Sequence, residues 1–277
     1  MNNVIGIDLG GTSIKAGRIE DGIISGQCSL DTRASEGGEV TLNVLRKVIQ
    51  TLKTSQTTAI GIGVPSVVDK HQGIVYNVQN IRNWEEVHLK TLLEAEFQVP
   101  VFIDNDANCF AIGEKYFGAA QEYDHFVGIT LGTGVGGGIV QCGKLLKDAN
   151  CGSGEFGEIP YGESIIEDYC GSRFFLERNG ISGFEAYQKA LKGDEHCLGI
   201  FQEYGKHMAN LIKIIVLTVD PQAIVLGGSI SASFPLFKVS MNEELKKFPY
   251  TKTIQKLVIL TSDLENSGIL GAGVLCY

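Results

Sequence analysis

Asp104, Asn105, Asp106 and Asn108 fall within five positions, directly after the apolar run Val101-Phe102-Ile103 that reads as a strand. A carboxylate placed there suits the acceptance of a proton from an attacking hydroxyl, as phosphoryl transfer requires. Asn105 can both donate to and accept from a ligand hydroxyl. The plainer reading is that Asp104 or Asp106 caps the helix expected through about Phe117. Against it stands the position: the C-terminal end of a strand is where α/β proteins bind ligands.

A second kind of chemistry lies in two glycine turns. Val4-Ile5-Gly6-Ile7-Asp8-Leu9-Gly10-Gly11-Thr12 returns 122 residues later as Phe126-Val127-Gly128-Ile129-Thr130-Leu131-Gly132-Thr133-Gly134. Each copy reads as an apolar strand, a Gly/Thr turn and a second strand. Glycines without Cβ let backbone N–H groups converge on an anion, and Thr12 and Thr133 add hydroxyl donors. Two such nests suit a polyphosphate; alternatively both are simply tight hairpins. Neither copy matches GxxxxGK[ST], and no GxGxxG opens a helix, so P-loop and Rossmann readings are weak. Where the first copy has Asp8 the second has Thr130. A carboxylate beside phosphates needs a cation between them, which makes Asp8 a candidate Mg²⁺ ligand, directly or through water. A third chemistry is suggested by Cys151, Cys170 and the acidic residues around Glu155 and Glu158, a stretch open to a metal site, a disulfide or a polar pocket.

The elements that must position these groups follow from pattern. The repeat predicts two similar α/β lobes. Residues 39–53 and 203–219 read as helices, the second with Met208, Leu211, Ile212, Ile215, Val216 and Val219 on one stripe. Asp220-Pro221 ends it, and Ala223–Leu226 forms a strand opening onto Gly227-Gly228-Ser229, which borders a nucleotide base or is an ordinary strand-to-helix turn. The tail from Ser267 to Cys276 reads as a closely packed helix.

Composition excludes some classes. The 277 residues carry a formal charge of −9, which argues against a nucleic-acid partner. No run is long and apolar enough to span a bilayer, so no membrane partner is expected. No leader is visible, and the seven scattered cysteines read as reduced thiols of a cytoplasmic protein.

DLGGT at 8–12, DNDAN at 104–108, LGTGVGGG at 131–138 and GEFGE at 154–158 together resemble the ROK family of sugar kinases and related repressors, from about residue 4 to the end. The kinases of that family include glucokinases, N-acetylmannosamine kinases and β-glucoside kinases. The resemblance implies an α/β, two-lobed actin-like ATPase (ribonuclease H-like) fold, with duplicated lobes and an interlobe cleft. The lobes are expected at 1–107, completed by the C-terminal helix at about 265–277, and at 108–264. It further implies ATP and Mg²⁺ as cofactors and a hexose phosphorylated on its 6-hydroxyl. Asp8, Gly10, Gly11, Thr12 and Lys15 match the first phosphate motif, Gly132, Thr133 and Gly134 the second, and Gly227 and Gly228 resemble the adenosine-side turn. Asp106 matches the catalytic base; Asn105, Glu155 and Glu177 match sugar ligands, and Asn80, ahead of Trp84, resembles a further one. The expected assembly is a homodimer.

The sequence departs from the family at the stretch with the cysteines. Zinc-containing members follow GExGH with a CxCGxxGC pattern, whereas Glu158 replaces the histidine here and the following positions hold Asp168, Cys170, Phe174 and Phe175. No histidine lies between residues 126 and 195. No zinc is expected, and compartment disfavours a Cys151–Cys170 disulfide. Phe174 and Phe175 suggest apolar packing as the staple of this loop. Ionised Glu158 offers acceptors alone to a sugar. This points either to a substrate modified at C1 or C2, such as a β-glucoside or N-acetylmannosamine, or to a Glu158 that faces away from glucose. The competing classes are a sugar-sensing regulator and an actin-like ATPase without sugar chemistry. For the first, the phosphate motif starting at Asp8 leaves no room for a helix-turn-helix; for the second, Asn105, Asp106, Glu155 and Glu177 would go unexplained.

Overall fold

The computed structural model describes residues 3–78 and 81–277. The chain divides into two compact units, 1–121 with 145–153 and 264–277, and 122–144 with 154–263. In chain order, the first run of elements is β1 (Asn3–Leu9), β2 (Ser13–Glu20), β3 (Ile23–Asp31), α1 (Gly38–Leu52), β4 (Thr57–Val64), β5 (Val67–Asp69), β6 (Ile74–Tyr76), β7 (Glu86–Val87), α2 (Leu89–Phe97), β8 (Val101–Asn105) and α3 (Asp106–Phe117). There follow β9 (Phe126–Leu131), β10 (Val135–Gln141), β11 (Lys144–Leu145), β12 (Pro160–Tyr161), β13 (Ser164–Ile165), α4 (Glu167–Cys170), α5 (Gly183–Leu191), α6 (Glu195–Val219), β14 (Ala223–Gly227), α7 (Phe234–Leu245), α8 (Thr251–Lys256) and β15 (Val258–Thr261). The last helix, α9 (Ser267–Val274), belongs to the first unit.

The first unit is built on a five-stranded sheet ordered β3-β2-β1-β4-β8, with the β1–β2 pair antiparallel and the β1–β4 and β4–β8 pairs parallel. Strands buried on both faces read as continuous apolar runs, and β4 (TTAIGIGV) is one. On one face, Leu42, Leu45, Val48, Ile49 and Leu52 of α1 and Leu89 and Leu93 of α2 join Ile5, Ile7, Ile60, Ile62 and Ile103 in a single core. On the other, Ile269 and Leu270 of α9 pack with Val4, Ile19 and Ala59. Alpha9 lies so close to the sheet and to α3 that side chains are excluded. A Cβ on Gly61 would stand 1.8 Å from the Ala272 carbonyl oxygen, and one on Gly271 would stand 1.7 Å from that of Cys109. This explains why the Gly/Ala-rich tail is helical in spite of its composition: the glycines permit close approach that the burial of Ile269, Leu270 and Val274 then stabilises. The same packing keeps all of α3 in the first unit, so the division falls after Gln121 instead of after residue 107.

The second unit repeats the topology in the order β11-β10-β9-β14-β15, again an antiparallel pair (β9–β10) followed by parallel neighbours (β9–β14, β14–β15). Alpha6 covers it with buried Met208, Leu211, Ile212, Ile215 and Val216. This helix begins at Glu195, well before the expected residue 203, because the Asp194 side chain caps it by accepting from the Cys197 amide and because Cys197, Ile200 and Phe201 extend the buried stripe. It ends where Asp220 adopts a left-handed conformation (φ 49°) ahead of Pro221. Phe174 and Phe175 are wholly buried against Tyr204 and Phe201, with ring centroids 5.2–5.4 Å apart, and Tyr204 Oη donates to the Cys170 carbonyl at 2.7 Å. Apolar packing therefore holds the loop after α4. All seven cysteines are free thiols; burial pushes that of Cys170 upward.

Candidate active site

In the first unit the sheet register assembles the site. Asp8 of β1 pairs with Gly63 of β4, and Gly63 pairs with Asp104 of β8, so the three stand in one row at the C-terminal ends of parallel strands. Two strand spacings separate Asp8 from Asp104 along that row, about 10 Å between backbones. The first glycine turn leaves β1 at this edge. It is closed by the Gly10 amide donating to the Ser13 carbonyl (3.0 Å) and tied to Thr32, whose hydroxyl donates to the Gly10 carbonyl (2.7 Å) and whose amide donates to that of Thr12 (3.0 Å). Thr12 is exposed and Gly11 half-buried. Lys15 pairs across from Asp8 on β2. Burial raises the Asp8 pKa above the ordinary carboxylate range, and Lys15 partly offsets this. A Cβ on Gly268, in the first turn of α9, would touch the Asp8 carboxyl at 3.1 Å.

The acid centre differs in detail from the simple helix-capping reading. The cap of α3 is Asn105, whose Oδ1 accepts the Ala107 amide (2.8 Å) and whose Nδ2 donates to the Ser66 carbonyl (3.2 Å). One amide hydrogen and one lone pair remain for a ligand. Asp106 is the first helical residue, half-buried, with its Oδ1 accepting the Ala107 amide at 2.8 Å. A carboxylate there also benefits from the helix dipole. Asp104 is buried and its carboxylate is engaged within the protein: it accepts from the Asn105 amide and Asn108 Nδ2 (both 2.7 Å) and pairs with Lys70 Nζ at 3.1 Å. Burial raises its pKa, while Lys70 chiefly opposes the shift. Lys70 also lies 3.5 Å from Asp148. Neither Lys70 nor Asp148 was signalled by the sequence, since a lysine in a polar hairpin and an aspartate in a loop carry no spacing pattern. Asn80 lies outside the described residues.

In the second unit, Gly132, Thr133 and Gly134 form the turn between β9 and β10, with the Gly132 amide donating to the Gly134 carbonyl at 3.0 Å. Thr133 is exposed. Gly227 at the end of β14 pairs with Thr130 of β9, which brings the third glycine turn beside the second. Gly228 has φ 84°, and a Cβ there would lie 2.3 Å from the Leu131 carbonyl oxygen, so glycine is required on both counts. Glu155 and Glu158 belong to one 3₁₀ turn, closed by the Glu158 amide donating to the Glu155 carbonyl at 3.2 Å, with Phe156 buried beneath and Glu158 exposed. Residues three apart on such a turn project from one edge. Glu177 is exposed on the π-helical turn Phe174–Arg178. Thus the first unit gathers Asp8, Gly10–Thr12, Lys15, Asn105 and Asp106, and the second gathers Gly132–Gly134 with Gly227 and Gly228, and Glu155 with Glu158. Among the described residues no group of three or more His, Cys, Asp or Glu is placed to hold a metal by itself. A Mg²⁺ needs less: one carboxylate with the remaining ligands from phosphates and water, and the half-buried Asp8 fits that demand.

Comparison with known proteins gives these residues a context. The ROK family model matches residues 4–277. A glucokinase of Thermotoga maritima is 29% identical over 97% of this chain and 95% of its own length. A xylose repressor of Bacillus subtilis is 30% identical over 96% of this chain and 75% of its own length. A ROK family glucokinase from Streptomyces griseus, solved in complex with glucose and AMPPNP, superposes with a TM-score of 0.82 at 26% identity, covering 99% of both chains. The architecture is the two-lobed actin-like ATPase fold, and the chain belongs to the ROK family.

Proposed function

We propose that the protein is an ATP-dependent hexose 6-kinase. The observation that carries this reading is the in-register row Asp8–Gly63–Asp104, which sets a glycine turn suited to phosphate and a helix-capped acid centre on one sheet edge. In this mechanism the backbone amides and threonine hydroxyls of Gly10–Thr12 and Gly132–Gly134 bind the polyphosphate, with Lys15 adding positive charge. Gly227 and Gly228 border the adenosine. Asn105, Glu155 and Glu177 orient the sugar, as does Asn80. Asp106 accepts the proton of the sugar 6-hydroxyl as that oxygen attacks the γ-phosphoryl group. Asp8 would hold Mg²⁺, whose charge would offset that of the phosphates. The sugar is either one modified at C1 or C2, a β-glucoside or N-acetylmannosamine, or glucose with Glu158, which is exposed, facing away from it.

The repressor among the relatives supports a second reading, a sugar-sensing regulator. The two are separated by a coupled ADP-release assay over glucose, fructose, mannose, N-acetylmannosamine and a β-glucoside such as cellobiose. Sugar-dependent turnover supports the kinase; a sugar that binds with no turnover supports the regulator.

A further inference from the structure

The second glycine turn does not stand alone. The Val135 amide, at its exit, donates to Glu167 Oε2 at 3.2 Å. The same oxygen lies against Gly134, where a Cβ would meet it at 2.3 Å, and faces Gly157 of the Glu155–Glu158 turn, where a Cβ would be in ordinary van der Waals contact with it at 3.5 Å. Farther along, the Ser172 amide donates to the Gly132 carbonyl (2.9 Å) and Ser172 Oγ to that of Thr133 (3.3 Å). Gly171 passes the turn so closely that a Cβ would stand 3.0 Å from the Thr133 oxygen. Arg173, whose Nη1 is 3.9 Å from Oε1 and 3.1 Å from Asp168, is shared between the two carboxylates.

We infer that Glu167 is a positioning residue: its carboxylate locks the Gly132–Gly134 turn to the Glu155–Glu158 turn, so that phosphate and sugar groups are held in one geometry. Nothing else in the sequence marks Glu167, since it matches no phosphate or sugar motif. The inference rests on the kinase reading for its kinetic consequences, and on geometry alone for its structural ones.

The test compares wild type with Glu167→Ala, Glu167→Asp and Glu167→Gln. Hydrogen–deuterium exchange is followed in peptides covering 131–137 and 154–159. In Glu167→Ala, losing the charge-assisted hydrogen bond to the Val135 amide should speed exchange in 131–137 about tenfold, and losing the packing at Gly157 should speed it in 154–159 about threefold; the shorter Glu167→Asp should speed both measurably, which keeps the assay decisive if the alanine variant does not fold. Glu167→Gln, which keeps an acceptor for the Val135 amide, should stay within about twofold of wild type. With the preferred sugar, Glu167→Ala should raise KM for both ATP and sugar about tenfold and change kcat less than about threefold, and Glu167→Gln should restore both. Unchanged exchange at 154–159 in the alanine and aspartate variants, or a glutamine variant as loose as alanine, overturns the inference. A wild-type enzyme without turnover on any sugar defeats the kinase reading and leaves the exchange result to decide the role of Glu167.

Discussion

The proposed mechanism gives Asp106 and Asp8 different tasks, and their surroundings differ accordingly. Asp106 sits half-buried at the start of a helix, where the Ala107 amide, shared with Asn105, and the helix dipole suit the carboxylate that a general base must be. Replacing it with Asn keeps the shape and removes the base, so kcat should fall about 10³-fold while sugar KM changes less than about threefold. Asp8 is the opposite case, a carboxylate whose pKa burial raises in spite of Lys15. A raised carboxyl pKa means that the folded, ligand-free protein takes up this proton more readily than the unfolded chain. Its contribution to stability therefore improves as pH falls through the folded value and is unfavourable at neutral pH. Divalent-ion binding has the reverse dependence, because it needs the ionised form. The apparent Mg²⁺ affinity should weaken on acidification at a higher pH than an exposed Asp, near 3.9, would dictate. Asp8→Asn should abolish that dependence and weaken Mg²⁺-dependent ATP binding by calorimetry, yet leave the melting temperature of the ligand-free protein no lower than wild type.

At the scale of elements, the close packing of α9 makes the sharpest forecast. Gly271→Ala places a methyl where the Cys109 carbonyl now stands, so α3 and α9 must separate. Overpacking of this kind costs about 1–3 kcal/mol, which for a protein of this size lowers Tm by several degrees in a thermal scan. Because α3 starts at Asp106, the same variant should also reduce kcat, whereas Gly199→Ala, with open space around its Cβ position, should do neither. The helices and strands were largely legible in the sequence because their signals are local: the apolar stripe of α6, the alternation of glycine turns with apolar strands, the Asp-Pro stop. The early start of α6 was missed because Asp194, its cap, lies in a polar stretch where Cys197 and Phe201 give only a sparse stripe. The sequence suggests a ligand role for Asn105, and the structure makes it the cap of α3, a role its backbone conformation (φ −62°, ψ 146°) makes plain and its sequence neighbours, all capping types, do not.

For the whole molecule, two similar α/β lobes are readable from the repeat, and the structure adds that their sheets share one strand order. The partners of the site are not readable in this way. Lys70 reaches Asp104 from 34 positions away in sequence, and Glu167 reaches Val135 from 32, with no motif at either spacing. Such contacts depend on where loops return, which no local pattern encodes. The glycine turns, the acid row and the two glutamate positions together support sugar phosphorylation, and a direct trial of that claim is the rate of ADP release from ATP and Mg²⁺ in the presence of each hexose, for wild type beside Asp106→Asn. The account expects turnover that depends on at least one hexose or hexose derivative, with Asp106→Asn slower by about 10³-fold and still binding that sugar. ADP release indifferent to every sugar, or an Asp106→Asn variant as fast as wild type, would contradict it.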